Sequence, residues 1–127
     1  MEGSLLTERN IEGSLDHCFQ LVAEGKIDEA MQIYAADVKH FNSDRFSQGR
    51  KKMAELVGYG VAEQLSTGMA ESEKSITLTT VMTNIRPDGQ FALVWTDFRI
   101  GDHDGSAAYL FTWSEGRPQI AIDMMAE

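Results

Sequence analysis

The sequence lacks the features that mark several large classes of protein. Its 127 residues include one cysteine, Cys18, which excludes an internal disulfide and a zinc site built from several thiolates. No apolar run approaches the roughly 20 residues of a transmembrane helix. The 11 basic residues stand against 20 acidic ones, for a net charge of −9, and this balance argues against nucleic-acid binding. Phosphate-binding loops, dinucleotide fingerprints and nucleophile elbows are also missing, so we expect no cofactor.

The rest of the composition is that of an ordinary globular protein, with 43% hydrophobic and 24% charged residues. The length fits one domain over residues 1–127. The N-terminus, MEGSLLTERNIEGS, places acids early and lacks the basic-then-apolar order of a signal peptide. With the single cysteine, this predicts a cytoplasmic protein. The three histidines are scattered, so no metal site is expected.

The first half of the chain has helical periodicity. Apolar residues at helical spacing predict a helix over 6–24, which Gly25 is placed to end. A second helix follows at once, and VKHFN (38–42) changes to an extended pattern. A third helix is predicted over 48–65, with Met53 facing inward.

The second half reads as four strands joined by turns. The strands are predicted over 75–85, 90–100, 106–113 and 117–125. Helices followed by an antiparallel meander indicate an α+β fold with the helices on one face of a curled sheet. The two middle strands are apolar on both faces, and only one face can meet the helices. We therefore expect the outer face to be covered by a second copy of the chain, as a homodimer.

This order of elements resembles the nuclear transport factor 2-like superfamily. The fold implied is a cone-shaped, curved antiparallel sheet wrapped around three N-terminal helices, a cystatin-like α+β barrel. The stretch GKIDEAMQIYAADVKHFN (25–42) resembles the family's opening, Gly49-Arg50 its third-helix start, and FTWSEGRPQIAIDMM (111–125) its last hairpin. The resemblance covers nearly the whole chain and implies fold more than function, because this fold hosts enzymes and binding modules alike.

Within the superfamily, the limonene epoxide hydrolase and SnoaL-like branch is the one that the chain resembles in function. Asn42 matches the last residue of a Tyr-x-Asn motif that holds a water, and His40 replaces the Tyr. Asp123, seven residues after Gly116, matches the base that activates this water. The steroid isomerase branch is less similar, because it has a Tyr where this chain has Cys18 and an Asp base where this chain has Asn42, which cannot take a proton.

Asp97 and Arg99 add an argument from spacing. They lie two residues apart, on one face of their strand beside Trp95. The family has an Arg and an Asp at this spacing, in the opposite order. If residues 101–105 form the turn, Asp97 lies opposite Tyr109, within side-chain reach.

We therefore predict that Asp97, Arg99, Tyr109 and Asp123 converge on the floor of an apolar cavity. Such a pocket, apolar with a few polar groups, is typical of small-molecule sites. Its substrate-binding walls are expected to include Trp95, Tyr59, Phe111 and Met53.

Each of these residues also has a structural interpretation. Asp97 and Arg99 could be an ion pair that serves the fold alone. Asp123 could lie on the surface, and His40 could be a partly exposed strand residue instead of a proton carrier. Tyr34 is expected in the core with its hydroxyl bonded to the backbone. Cys18 could be a small buried hydrophobe or a residue that faces the cavity.

The sequence thus predicts a small-molecule enzyme that binds a hydrophobic substrate and uses general acid–base catalysis, as an epoxide hydrolase, isomerase or cyclase would. Asp123 would take a proton from water, His40 and Asn42 would orient that water, and Asp97 with Arg99 would act on the leaving oxygen. The alternative is a non-catalytic ligand-binding or dimerisation module of the same fold. The expected partners are a small hydrophobic molecule and a second copy of the chain, with neither nucleic acid nor membrane.

Overall fold

A computed structural model of the chain describes residues 5–42, 45–55, 76–100 and 103–126. It confirms the α+β class and the curved sheet with helices at the N-terminal end. The elements are α1 (Glu8–Ala23), α2 (Ile27–Ala30), a 3₁₀ turn (Met31–Ile33), β1 (Tyr34–Asn42), β2 (Arg45–Gln48), α3 (Arg50–Met53), β3 (Ile76–Ile85), β4 (Phe91–Ile100), β5 (His103–Ser114) and β6 (Arg117–Ala126). Residues 56–65 of the predicted third helix lie outside the described residues.

Helix α1 begins and ends where its local sequence dictates. Thr7 and Asn10 form a capping box, because each side-chain oxygen accepts the other residue's backbone N–H, at 3.1 and 2.9 Å. Gly25 follows the helix with φ +80°, a left-handed conformation that favours glycine. These two signals bring the apolar side of α1, which includes Ile11 and Val22, onto the sheet with both residues fully buried.

The six strands form one sheet in the order β2-β1-β6-β5-β4-β3. Strands β3 to β6 are the predicted antiparallel meander. Strand β1 pairs with β6 in parallel, and β2 pairs with β1 in antiparallel orientation. Register shifts in three of the five pairings break the regular ladder, and such bulges increase local bend and twist. The parallel pairing brings β1, the first strand of the chain, beside the last strand, β6.

Strand β4 alternates strictly between its two faces. Ala92, Val94, Thr96 and Phe98 are buried, whereas Phe91, Leu93, Trp95, Asp97 and Arg99 are exposed. This is the period of two that a strand imposes on its side chains. The helices and the core therefore lie on the even-numbered side of β4, and Asp97 and Arg99 lie on the other.

The outer face of the sheet carries a row of apolar side chains that crosses all six strands. Neighbours in the strand pairing are, in order, Phe46, Phe41, Met124, Ala108, Trp95 and Met82. The five large members of this outer row are each at least 40% exposed. The rings of Phe41 and Phe46 are in tilted contact, with their centroids 5.1 Å apart and their planes at 51°. Apolar surface of this extent is typical of an interaction site.

Candidate functional site

A second row, on the inner face, places three polar side chains next to each other. In the strand pairing, His40 of β1 is opposite Asp123 of β6, and Asp123 is opposite Tyr109 of β5. Directly paired residues project to the same face of a sheet, with neighbouring side chains within reach. Asp123 is 0% exposed, Tyr109 1% and His40 3%. The sheet thus carries a carboxylate into the protein core between an imidazole and a phenol.

Tyr34 reaches the same carboxylate from the start of β1. Its hydroxyl donates a hydrogen bond to Asp123 Oδ2 over 3.3 Å, although the two residues are 89 positions apart. Arg50, at the start of α3, fixes this end of the strand, because its Nε donates to the Tyr34 carbonyl oxygen at 2.7 Å. We define the interior polar cluster as Asp123, Tyr34, His40 and Tyr109.

The cluster has hydrogen-bonding capacity that its own members do not use. His40 Nδ1 lies 3.6 Å from Asp123 Oδ2, beyond hydrogen-bond distance. Among the described residues, neither His40 Nδ1 nor Asp123 Oδ1 has a hydrogen-bond partner. An unsatisfied buried polar group is costly, by about 1–3 kcal/mol and more when charged. Each such group in a folded protein calls for an explanation, and a catalytic role is one of them.

The charge on Asp123 acts on three weak acids around it. Burial, followed by this charge, raises the pKa of Tyr34 well above its ordinary value. The same two causes, in the same order, raise the pKa of Tyr109 and raise the pKa of Cys18 to about 12. Both effects disfavour the ionised form. At neutral pH all three groups are therefore protonated: the Tyr34 hydroxyl donates to Asp123 Oδ2, and the Cys18 thiol donates to the Ala30 carbonyl oxygen at 3.4 Å.

Two further residues complete the surroundings of the cluster. Thr96, fully buried on β4, lowers the pKa of Tyr109 through a side-chain hydrogen bond, against the larger effect of burial. The Ala107 carbonyl oxygen, 3.5 Å from Thr96 Oγ1, is the alternative acceptor for the single proton of this hydroxyl. Phe111 packs edge-on against Tyr109, with ring centroids 6.1 Å apart. Tyr109 is thereby held between a polar neighbour and an aromatic one.

Several residues singled out in the sequence lie at or near this cluster. Asp123, His40 and Tyr109 form its row, and Phe111 and Met53 are fully buried in the same core. Asn42 is half-buried, two residues beyond His40 on β1. Tyr59 lies outside the described residues. Asp123 is thus in the core, and the surface placement considered for it is wrong.

The position predicted for Asp97 and Arg99 inside the cavity is wrong. Both are exposed; Asp97 accepts a hydrogen bond from Ser106 Oγ at 2.8 Å, and Arg99 Nε lies 3.8 Å from Asp104. Trp95 is 47% exposed and belongs to the outer row, so it does not wall the interior. The predicted convergence of two carboxylates on one cavity does not occur.

The physical reason is the register of one hairpin. The sequence predicted a turn over 101–105 with Asp97 opposite Tyr109, but β5 already begins at His103 and Asp97 pairs with Ser106. The shift from position 109 to 106 is three residues, an odd number. An odd shift moves a side chain to the other face of the sheet. Tyr109 therefore pairs with Val94 and faces the core, opposite to Asp97.

Sequence reasoning missed Tyr34 and Thr96 as members of the site. Tyr34 was expected to bond to the backbone, yet its partner is the Asp123 side chain. No local sequence pattern predicts the parallel pairing of β1 with β6 that brings Tyr34 close to Asp123. Thr96 had a signal, because it is the polar residue in the alternation of Ala92, Val94 and Phe98.

Comparison with solved structures gives the fold independently. The chain is similar to an NTF-2-like protein of unknown function from Shewanella oneidensis MR-1, with a TM-score of 0.76, 15% identity, and 94% of this chain and 98% of that one covered. A domain of unknown function with a cystatin-like fold from Nostoc punctiforme PCC 73102 matches with a TM-score of 0.70 and 13% identity, over 95% and 78% of the two chains. The beta subunit of the benzoate 1,2-dioxygenase from Burkholderia mallei ATCC 23344 matches with a TM-score of 0.65 and 14% identity, over 95% and 90%.

The protein therefore has the cystatin-like fold of nuclear transport factor 2-like proteins, as the sequence predicted. No family model and no curated protein matches its sequence. At these identities the structural likeness establishes the fold, and function must be argued from the site. In the part of the chain that the structure describes, no helix has the length and apolar character needed to cross a membrane.

Proposed function

We propose that the protein is a small-molecule enzyme that uses Asp123 as a general base on a hydrophobic substrate bound in the interior of the fold. The observation that supports this most is the setting of Asp123. It is a fully buried carboxylate with one oxygen unpartnered among the described residues, and tyrosine hydroxyls and an imidazole lie beside it. A group that served the fold alone would be expected to have its lone pairs satisfied.

Each member of the interior polar cluster would have a different role in the reaction. Asp123 Oδ1 is the oxygen available to accept a proton from water or from a carbon next to a carbonyl group. The Tyr109 hydroxyl, whose raised pKa keeps it protonated, would donate a hydrogen bond to the substrate oxygen that gains negative charge, while the Tyr34 hydroxyl keeps its hydrogen bond to Asp123 Oδ2. His40, whose Nδ1 lies 3.6 Å from Asp123 Oδ2, would carry the proton onward. The stabilisation of the substrate oxygen first given to Asp97 thus passes to Tyr109.

The neighbouring side chains support one class of substrate. Phe111 and Val94 are neighbours of Tyr109, and both are fully buried, as is Met53. A substrate bound among these side chains would be an apolar molecule with one reactive oxygen. Epoxides, lactones and ketones have this character, and hydration or isomerisation of them needs one base and one hydrogen-bond donor. Asn42, half-buried beyond His40, remains a candidate for positioning a water.

The test is a panel of apolar epoxides, lactones and ketones screened first by thermal shift and then for turnover. Asp123→Asn keeps the shape of the side chain but removes its basicity. We expect it to lower turnover by about 100-fold or more, the usual contribution of a general base, while compounds that raise the melting temperature still bind. Asp37→Asn, which removes a carboxylate from an exposed position of β1, is the matched control. Turnover that survives Asp123→Asn unchanged would refute the base assignment.

A second role is favoured by a separate observation, the outer row. Its apolar side chains span six strands, and a surface of this kind suits association with an identical surface across a two-fold axis. We propose a homodimer through this face, which holds whether or not the interior is catalytic.

Trp95→Lys places a charge in the middle of the outer row and should convert a dimer to a monomer in sedimentation velocity. Ala23→Lys adds the same charge at an exposed position of α1 and should leave the dimer intact. A wild-type chain that sediments as a monomer at high concentration would eliminate this proposal.

A further inference from the structure

A groove of about 290 Å³ lies between α1, the α2 and 3₁₀ segment, and the start of β6. None of the four residues of the interior polar cluster lines it. Helix α1 contributes one stripe to it, with Ser14, Cys18 and Leu21 at helical spacing. Its floor is apolar and buried, and includes Leu21, Ile33 and Pro118. Its rim is polar. The groove is near the lower end of the roughly 300–1,000 Å³ found for ligand pockets, and it has their apolar floor and polar edge.

Arg117 supplies the rim with unused hydrogen-bonding capacity. Its Nη2 is shared between Gln32 Oε1 and Glu115 Oε2, both at a long 3.4 Å. Its Nε is buried, and among the described residues no acceptor faces it. A guanidinium is always charged and presents its donors as a planar fork that matches a carboxylate. Arg117 Nε is therefore a donor for which the described residues supply no acceptor.

We infer that this groove binds an apolar carboxylate, with its chain on the Leu21 and Ile33 floor and its carboxylate on Arg117. A carboxylate is favoured over a neutral acceptor because a charged pair gives the stronger hydrogen bond. Two carboxylates oppose an anion here and limit the affinity: Glu29, which lines the groove, and Glu115, which already forms a salt bridge with Arg117 Nη2 at 3.4 Å. This inference does not rest on the catalytic proposal. Cys18 is the residue that connects the two sites, because it lines the groove and its pKa is raised in part by the charge of Asp123.

The probe is octanoate, with the neutral alcohol octanol as its counterpart, titrated into the ¹⁵N-labelled full chain and followed by NMR. We expect octanoate to shift the amide signals of Ser14, Leu21 and Ile33, and to bind about fivefold or more tightly than octanol. Arg117→Gln should remove most of that preference, whereas Arg86→Gln removes the same charge from the exposed end of β3 and should leave it unchanged. Glu29→Gln should tighten octanoate binding.

Two controls keep the result decisive. Ser14→Trp fills the groove from the half-buried side of α1 and should abolish binding of both probes, which covers the case in which Arg117→Gln does not fold. Asp123→Asn should bind octanoate as the wild type does, so that a failure of the catalytic proposal stays separate. Equal affinity for both probes, shifts centred on Trp95 of the outer row, or no shifts at all would each overturn the inference.

Discussion

The hydrogen bond from Tyr34 to Asp123 gives the most direct test of the interior polar cluster. Tyr34→Phe removes a single hydroxyl and keeps the ring, which is 1% exposed. A hydrogen bond to a charged group contributes about 1.5–3 kcal/mol. The O···O distance here is 3.3 Å, longer than the roughly 2.5–3.0 Å of typical O–H···O bonds. The lower half of that range is therefore the appropriate estimate, and we expect a loss of about 2 kcal/mol.

The assay is urea unfolding combined with a melting curve, in single and double variants. For a chain of this length, about 1 kcal/mol corresponds to about 4 °C, so Tyr34→Phe should lower the melting temperature by about 8 °C. In an Asp123→Asn background the lost bond is one to a neutral amide, and the same change should cost about 1 kcal/mol less. The difference between the two costs measures the interaction of hydroxyl and carboxylate.

Tyr109→Phe serves as the matched comparison within the same cycle. Tyr109 is equally buried, but its hydroxyl is hydrogen-bonded to Thr96 and is affected by Asp123 through charge. Its interaction energy with Asp123 should therefore be the smaller of the two. If Tyr34→Phe has the same cost with Asp and with Asn at position 123, the hydroxyl does not contact the carboxylate and the cluster has been assigned incorrectly.

Two further predictions concern alkaline pH and thiol reactivity. The raised pKa values of Cys18, Tyr34 and Tyr109 mean that their stabilising contribution is complete below pH 9.0, the ordinary value for the thiol, and is lost as pH rises toward the folded values. The melting temperature should fall steeply above that pH. Spectroscopic titration should show that two of the three tyrosines ionise only as the chain unfolds. Free ionisation of all three tyrosines near pH 10 would contradict this prediction. Native Cys18 should resist iodoacetamide at about pH 8 and react once urea unfolds the chain, and equal rates in both states would show that the thiol is accessible.

Much of the fold could be predicted because each helix and strand is determined by residues that are close together in the sequence. The stripe of Ile11, Leu15 and Phe19 marks α1, and the Pro87-Asp88-Gly89 turn separates two strands. Gly89 has φ +69° in that turn, as the sequence required of a glycine there. Such signals depend on spacing within about ten residues, and the predicted element order followed from them.

The site depends on relations that local spacing does not contain. Both faces of β4 are apolar, with Val94 and Phe98 on one and Leu93 and Trp95 on the other, so periodicity identified a strand but could not select its inner face. The length of the turn between β4 and β5 sets the register of the two strands. An error of three residues in that register placed Asp97 on the wrong face of the sheet. The contact of Tyr34 with Asp123 required the parallel pairing of β1 with β6, which joins distant parts of the chain. Asp123 itself was suggested by family resemblance and not by spacing.

The selection of the inner face can itself be tested at Asp97. Asp97 is exposed and accepts a hydrogen bond from Ser106 at 2.8 Å, in contact with water. An exposed polar substitution of this kind usually changes stability by less than about 0.5 kcal/mol, so Asp97→Asn should leave both the melting curve and any turnover close to wild type. Asp123→Asn makes the same chemical change on the inner face, where it should lower turnover by about 100-fold or more. Since the two residues share one side-chain chemistry, different outcomes would be due to the face alone. A loss of turnover in Asp97→Asn equal to that in Asp123→Asn would place the chemistry on the outer face of the sheet.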